Sequence, residues 1–441
     1  MKVHLMTIGV MLAAVFAAGG QESWTLDECM LYAVEHNYEV KSSQLAYDDT
    51  RSDYRSAVAS FFPTVGASLG ADFNFGRSID PETNTYNNLK TFNNGYSLSV
   101  SWNIFAGGQI VNQFRKAKAQ KSQAQNAWQD SRDDIAIKVM DAYVNLQYYD
   151  RLCAIMQAKR DDSFATLEKT RKMKELGMNS AVELSQAQAQ FAGDDYASVN
   201  AQGLRETALL TLKQTMNYPV ADTLVLAEVC DGTSLAADSC TADEVFVFAR
   251  HNNPKILQAA YERDMAVYDV RSARGAFVPS LRLSAGISNY YYRHFGSTNL
   301  PYSEQMDLNF GQYVGVTLSI PLFSGLSQIT TLKKAKNRRL DTQLAYDDRL
   351  QELRISIEQA VIDCRNLSKE AVKMEEKAVS DSIAYTFAKR KYKEGLMSFL
   401  DMQQTANTWY ESQAELLKTR LLLGVKRRLL DYYRTNTLIG K

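Results

Sequence analysis

The chain has 441 residues, and its 50 basic and 50 acidic side chains leave a formal net charge of zero. A nucleic-acid-binding protein normally carries a basic excess, so this balance argues against that class. Only 7 prolines occur, which favours long helices. The 24 tyrosines are typical of surfaces where apolar and aqueous surroundings meet, including membrane interfaces.

The first twenty residues have the pattern of a secretory signal. Lys2 precedes an apolar run of about 14 residues, and small residues at 17–20 predict cleavage near Gln21. A membrane-spanning helix needs about 20 apolar residues, and no later stretch is apolar enough to supply one. We therefore predict a signal peptide over residues 1–20 and an exported mature chain that meets a membrane as strands or at its surface.

A first structural repeat is predicted over residues 21–219. Thr25 and Glu28 have the spacing of a capping box, which opens a helix expected to run to Pro63. Apolar residues then alternate with small polar ones over 65–75 and 96–105. This period of two predicts a pair of strands joined by an exposed polar loop.

A long helical hairpin is predicted to complete this repeat. A proline-free stretch of about 70 residues runs from Gly107 to about Leu176 and predicts one helix about 100 Å long. Gly177 marks the tip, and a return helix is expected from Ala181 to about Met216.

The second half of the chain repeats this plan. Residues 220–240 are predicted to be a linker, and residues 241–441 a second structural repeat. Its strand pair is predicted at 281–291 and 312–322, and its helical hairpin has a tip near Gly395. The features that match between the halves are Asn37 with Asn253, Pro63 with Pro279, and Gly177 with Gly395. This internal duplication is the strongest signal in the sequence.

The strands have the length and the faces of membrane strands. Each has about ten residues, and its polar face carries small neutral side chains rather than Lys and Glu. A soluble sheet with one wet face has the same alternation, but not this choice of polar residues. Four strands cannot close alone, so the barrel must be shared: two chains would give about eight strands, and three about twelve with room for a pore.

The long helices are expected to pack side by side as coiled coils, because helices of this length cannot form a compact core. Each carries an apolar stripe at three-to-four spacing. The stripes consist of Ile135, Val139, Ala142, Leu146 and Tyr149 on the first helix, and Leu353, Ile357, Val361, Cys364 and Leu367 on the second.

Nothing in the sequence points to catalysis or to a cofactor. The five cysteines are widely spaced and odd in number, so they form neither a disulfide framework nor a metal motif. A disulfide between Cys230 and Cys240 is left open. Histidines and methionines are dispersed, and no nucleophile motif or phosphate-binding glycine loop is present. We expect no enzyme, no metal site and no cofactor.

Two short stretches at the hairpin tips resemble a motif of the TolC family of outer-membrane channel proteins. Residues 392–404 read YKEGLMSFLDMQQ and match the family pattern Tyr-x-x-Gly-x-x-x-x-x-Asp. Residues 174–183, KELGMNSAVE, are the counterpart in the first half, with Lys174 in place of the tyrosine. Together with the duplication, the resemblance covers essentially the whole mature chain.

The resemblance implies a mainly α-helical protein with a membrane β-barrel. A homotrimer would share a 12-stranded barrel, four strands from each chain, in the outer membrane of a Gram-negative bacterium. A coiled-coil helical tunnel would continue it into the periplasm. The protein would be a passive exit duct in tripartite efflux or type I secretion, supplied by an inner-membrane pump through a periplasmic adaptor. The alternative is a periplasmic coiled-coil adaptor or scaffold, which the doubled strand pairs disfavour.

The resemblance also implies a gate at the periplasmic tips. By position, Asp401 matches an aperture aspartate, Tyr392 a gate-holding tyrosine, and Glu183 its acidic partner. The alternative for both acids is an ordinary place at a helix N-terminus, stabilised by the dipole. The chain departs from the family at Gln404 and at Met397, where an acidic and a basic residue are expected, so we predict a gate with fewer ionic links.

The tips themselves are the expected docking sites for the adaptor. The residues implied are Gly177 and Met178 in the first repeat and Gly395 and Leu396 in the second. The exported substrate is left open among drugs, metals, siderophores and proteins.

Overall fold

The computed structural model describes residues 23–79, 84–227, 241–296 and 298–438. The predicted signal peptide lies outside the described residues, as do Cys230, Cys240 and most of the predicted linker. Each half of the described chain contains two short helices, two strands and a long helical hairpin. The second half has one more short helix, between its two strands.

The elements of the first half are α1 Leu26–His36, α2 Tyr38–Ala59, β1 Thr64–Ile79, β2 Tyr86–Ala106, α3 Gln109–Glu175 and α4 Ala181–Met216. Those of the second half are α5 Ala242–Asn252, α6 Pro254–Gly275, β3 Ser280–His294, α7 Tyr302–Leu308, β4 Gly311–Ser319, α8 Ser327–Lys393 and α9 Phe399–Thr435.

The single helix predicted from Thr25 to Pro63 is in fact two helices, because the chain breaks at Asn37. The backbone of Asn37 is extended, with φ −66° and ψ 135°. Its side chain accepts a hydrogen bond from the backbone N–H of Glu39 at 2.8 Å, so it ends one helix and caps the next. Asn253 makes the same break, and Pro254 enforces it by disfavouring helical backbone in the residue before it.

The four strands form one antiparallel sheet in the order β1-β2-β3-β4. The prediction of an exposed loop over 76–94 is wrong, because β1 has 16 residues and β2 has 21. The ladder continues to the pair Ile79 and Tyr86 after the apolar alternation has faded. Backbone hydrogen bonds extend a hairpin without needing an apolar face, which is why the sequence pattern underestimates it.

The sheet has one apolar face, which the chain leaves uncovered over most of its area. The register places Val65, Val100, Ala285 and Val314 side by side on this face. Leu69 is 78% exposed and Val314 is 79% exposed. The outer edges of β1 and β4 have no strand beside them within the described chain. The sheet of one chain is therefore open and incomplete.

The turn that follows β2 packs tightly against the end of α6. Gly107 has φ +57°, and a Cβ there would lie 2.1 Å from the carbonyl oxygen of Gly275. Only glycine combines this backbone conformation with this approach. The contact fixes the start of α3 against the end of α6.

The long helices pack as predicted from their apolar stripes. Ile135, Val139 and Leu146 are buried in a core that α3 forms with α1 and α4, and Ala142 and Tyr149 pack against it. Leu353, Ile357 and Cys364 are buried where α8 meets α5 and α9. In the described parts of the chain, no helix is both long and apolar enough to cross a membrane.

Candidate functional site at the helical tips

The two hairpin tips have the same backbone construction. Gly177 and Gly395 adopt left-handed backbone, with φ of +76° and +75°. The N–H of Met178 donates to the carbonyl of Met173 at 2.8 Å, and the N–H of Leu396 donates to that of Lys391 at 2.9 Å. These six-residue hydrogen-bonded turns are Schellman motifs, which end a helix at a residue with left-handed backbone.

The return helices are also capped alike, and the two predicted gate acids take part. The Ser180 hydroxyl accepts from the backbone N–H of Glu183 at 3.2 Å, and the Glu183 carboxylate accepts from the N–H of Ser180 at 3.0 Å. The Ser398 hydroxyl accepts from the N–H of Asp401 at 3.1 Å and donates to its carboxylate at 2.7 Å. Within one chain, both acids therefore cap helices in their first turns, next to the positive end of the dipole.

Apolar side chains are exposed around both turning glycines. Met178 is 68% exposed and Leu396 is 73% exposed, and Leu176 and Leu400 beside them are exposed as well. Exposed apolar groups that cluster at the free end of a hairpin mark a contact surface for another protein. The four residues predicted as docking tips, Gly177, Met178, Gly395 and Leu396, lie together with these side chains at the hairpin ends.

Tyr392 connects the second hairpin to the first. Its hydroxyl lies 3.1 Å from the hydroxyl of Thr170 on α3, at a buried position. Its ring contacts Phe399 edge-on, with 6.1 Å between ring centroids, and lies in a small core with Met402. Met397 packs against this core and is half-buried.

Tyr392 and Glu183, both predicted as gate residues, have different partners within the chain. The Glu183 carboxylate is hydrogen-bonded to the Ser180 backbone, and the tyrosine instead reaches Thr170. Lys169 also approaches the face of the Tyr392 ring, at 5.5 Å from its centroid. Burial, together with the positive charge of Lys393, lowers the pKa of Lys169.

A second connection between the hairpins lies two helical turns from the first, at residues that are not among the predicted gate positions. The Asp162 carboxylate on α3 accepts hydrogen bonds from the Tyr385 hydroxyl and from the Lys389 ammonium group, both on α8. The Tyr385 ring stacks on Trp409, with 5.1 Å between centroids. Tyr385 and Tyr392 are seven residues apart, and this heptad spacing on one helix face was the signal available in the sequence.

Gln404 lies one turn after Asp401 on α9, and its side chain is exposed. Among the described residues, no group of three or more His, Cys, Asp or Glu side chains is arranged to hold a metal ion. The tip site therefore consists of two capped turns, an exposed apolar rim and two hydrogen-bonded connections from α8 to α3.

A protein-family model matches most of the chain. The model for outer membrane efflux proteins matches residues 32–217 and 247–427. The alkaline protease secretion protein AprF of Pseudomonas aeruginosa is 22% identical over 71% of this chain and 63% of its own length. The outer membrane protein TolC of Escherichia coli is 22% identical over 87% of this chain and 76% of its own.

Solved structures with the same fold include CusC and the outer membrane protein VceC. The chain superposes on CusC with a TM-score of 0.81 at 17% identity, covering 97% of this chain and 96% of that one. It superposes on VceC of Vibrio cholerae with a TM-score of 0.79 at 18% identity, covering 94% of this chain and 96% of VceC. The duplicated arrangement of strand pairs and long hairpins is therefore a known fold.

Proposed function

The chain belongs to the outer membrane efflux protein family, and from this premise we propose that three copies together close one barrel and one tunnel. The protein is the outer-membrane channel component of a tripartite efflux or type I secretion system, with its helical part in the periplasm. The observation that carries the proposal is the open four-stranded sheet with an uncovered apolar face, which continues into long helical hairpins.

The trimer follows from the cost of leaving this sheet open in lipid. Unpaired strand edges are not tolerated in the hydrocarbon, where each unsatisfied backbone group costs several kcal/mol. Pairing the free edge of β4 with β1 of the next copy removes every edge. Three copies would give a barrel of about twelve strands, which is wide enough for a pore. Two copies would give about eight strands, and side chains would fill the interior of such a barrel.

The long helices extend from one side of the barrel. The junctions of the four strands with α2, α3, α6 and α8 lie at one end of the sheet, so both hairpins extend from the same side. The 67 residues of α3 span about 100 Å, a length suited to crossing the periplasm. An inner-membrane pump would supply the energy, and a periplasmic adaptor would dock on the apolar rim around Met178 and Leu396.

The tips would act as the gate of this duct. The bonds from Tyr392 to Thr170 and from Tyr385 and Lys389 to Asp162 hold the second hairpin against the first, so opening must break or stretch them. Three copies of Asp401 around the axis would form an acidic ring that attracts cations. Met397 and Gln404 contribute no ionic links, and we expect the closed state to leak more than a fully ion-paired gate.

Single-channel recording in planar bilayers tests this assignment. Asp401→Asn should weaken cation selectivity and relieve block by multivalent cations, because three converging carboxylates lose their charge. Asp243→Asn is the control, since Asp243 is also exposed but lies on α5, where it pairs with Arg354. Unchanged selectivity and unchanged block in Asp401→Asn would show that Asp401 does not face the bore.

A further inference from the structure

A groove lies on the apolar face of the sheet, under the short helix α7. It has a volume of about 370 Å³ and lies near the middle of the sheet, where β4 begins beside β3. Its lining comes from the strands and from the segment of α7, and includes Leu69, Leu98, Ile287, Met306 and Phe310. The groove is therefore apolar and opens on the side of the sheet that we place against lipid.

Hydrogen bonds fix α7 in this position. The Asn289 amide donates to the carbonyl of Met306 at 2.7 Å, and the Asn309 amide donates to the carbonyl of Tyr290 at 2.8 Å. The Gln305 side chain is buried and accepts from the backbone N–H of Tyr292 at 2.9 Å. These contacts join the helix to β3 where β4 no longer covers it, so the groove is a built feature of the fold.

Two exposed cations lie on the same face, farther toward the strand tips. Lys90 is paired with Phe75 across the β1–β2 ladder, and Arg293 is paired with Phe92 across the β2–β3 ladder. The Arg293 guanidinium lies 5.2 Å from the ring centroid of Phe295. Neither cation forms an ion pair with a carboxylate in the described part of the chain.

Aromatic side chains separate these cations from the groove. The layer contains Phe73, Phe92 and Tyr291, and the ring centroids of the two phenylalanines are 4.7 Å apart. An apolar surface followed by aromatic and then cationic residues is the order found from the hydrocarbon to the headgroups of a bilayer.

The spacing fits the depth of one lipid leaflet. Lys90 precedes Tyr96 at the groove by six residues of β2, or about 20 Å of strand at about 3.4 Å per residue. For a strand tilted by about 45°, this corresponds to about 14 Å of depth, close to half of the roughly 30 Å hydrocarbon core. Arg293 lies four residues of β3 beyond Asn289 at the groove, or about 14 Å of strand and about 10 Å of depth at the same tilt. The groove therefore lies at the level of acyl chains when Lys90 lies at the level of the headgroups and Arg293 just below them.

We propose that this surface binds an acylated lipid with an anionic phosphate headgroup from the outer leaflet. One acyl chain occupies the groove, and the phosphate contacts Lys90 and Arg293. Arginine suits this role because its planar guanidinium makes paired, charge-assisted hydrogen bonds to phosphate. The acids of α7, Glu304 and Asp307, are exposed and pair with neither cation. The inference rests on the proposed function, since it requires the apolar face to meet lipid.

The test uses the full mature protein in nanodiscs of phosphatidylcholine doped with lipid A, an acylated and phosphorylated disaccharide. Native mass spectrometry counts the lipid A molecules retained by each chain. The double variant Lys90→Gln/Arg293→Gln should retain lipid A about tenfold less tightly, the effect of losing one or two charge-assisted contacts. Arg282→Gln is the control, because Arg282 is an exposed arginine of β3 on the opposite face, bonded to Asn103.

A second variant separates the groove from the cations. Ile287→Trp fills the groove and should reduce lipid A retention while leaving the cations in place. Equal retention by the wild type and the double variant, or an equal loss in Arg282→Gln, would overturn the inference. Displacement of lipid A by inorganic phosphate alone would overturn the role of the groove. A wild-type protein that fails to insert and conduct would instead refute the proposed function, and this inference with it.

Discussion

At the scale of single residues, the proposed closed gate depends on a few buried polar contacts between the hairpins. Thr170 is fully buried, and its hydroxyl is shared between the carbonyl of Thr166 at 2.9 Å and the hydroxyl of Tyr392 at 3.1 Å. A buried hydrogen bond of this kind contributes about 1 kcal/mol net, and a closed gate held by few such bonds opens at modest cost.

Tyr392→Phe removes this bond while keeping the aromatic ring and its contact with Phe399. We expect about 1 kcal/mol less stabilisation of the closed state, and so a roughly fivefold higher open probability or leak conductance in bilayers. Tyr196→Phe is the control, because Tyr196 is exposed on α4 and its hydroxyl makes no connection between hairpins. Equal leak conductance in all three proteins would show that the Tyr392 hydroxyl does not hold the gate.

A second residue-scale prediction concerns Asp133, which is buried on α3. Burial raises the pKa of its carboxyl to about 6, despite hydrogen bonds from the Tyr432 hydroxyl at 2.9 Å and the Gln129 amide at 2.8 Å. A raised carboxyl pKa means that the folded state binds the proton more tightly than the unfolded state. The free energy of unfolding should therefore fall as the pH rises from about 4 to about 7, by roughly 2–3 kcal/mol.

Asp133→Asn should remove this part of the pH dependence and raise the melting temperature at neutral pH. Melting of the protein in detergent between pH 4 and pH 7.5 measures both effects. Asp161→Asn, an exposed change on the same helix, should leave the pH profile of the wild type unaltered. A profile in Asp133→Asn that matches the wild type would contradict the assignment.

At the scale of secondary-structure elements, the two tips are near copies of each other that expose apolar side chains. The turning glycines, the serine caps and the acids of the return helices are spaced identically, at 177, 180 and 183 and at 395, 398 and 401. Their backbone is rigid, whereas Met178 and Leu396 have no partner side chains in the described chain that bury them. This combination suits a surface that is preformed for another protein.

Met178→Ser/Leu396→Ser tests the tips as the adaptor contact. Removing two apolar anchors should weaken adaptor binding by at least about tenfold, since each buried side chain of this size contributes about 1.5–3 kcal/mol. Binding of the purified adaptor and export in cells are the measurements. Leu204→Ser, on an exposed part of α4 away from the tip, is the control. Normal adaptor affinity in the double variant would place the docking surface elsewhere.

The sequence predicts helical elements better than strand ends, for a physical reason. Gly107, Gly177 and Asn217 mark helix ends through local backbone preferences, and these predictions agree with α3 and α4 within a few residues. The end of a hairpin ladder depends instead on a partner strand, so the extension of β1 to Ile79 was missed. The partner of Tyr392 depends on the register between α8 and α3, which no local pattern in either helix specifies.

At the scale of the whole molecule, one chain does not form a closed sheet. Its sheet has two open edges and an apolar face, while its helices extend far beyond any core that they share. Among the parts that the structure describes, the buried clusters lie where the short and long helices meet and at the tips. A closed assembly of copies accounts for the sheet edges and the apolar face at once.

The measurement that tests this assembly most directly is the mass of the mature protein extracted from outer membranes in detergent, after the bound detergent is subtracted. Light scattering combined with refractive index and absorbance detection gives that mass. The account predicts three times the mass of the mature chain, in a particle that precipitates when the detergent is removed. A monomer that stays soluble without detergent would contradict the shared barrel and favour a periplasmic scaffold.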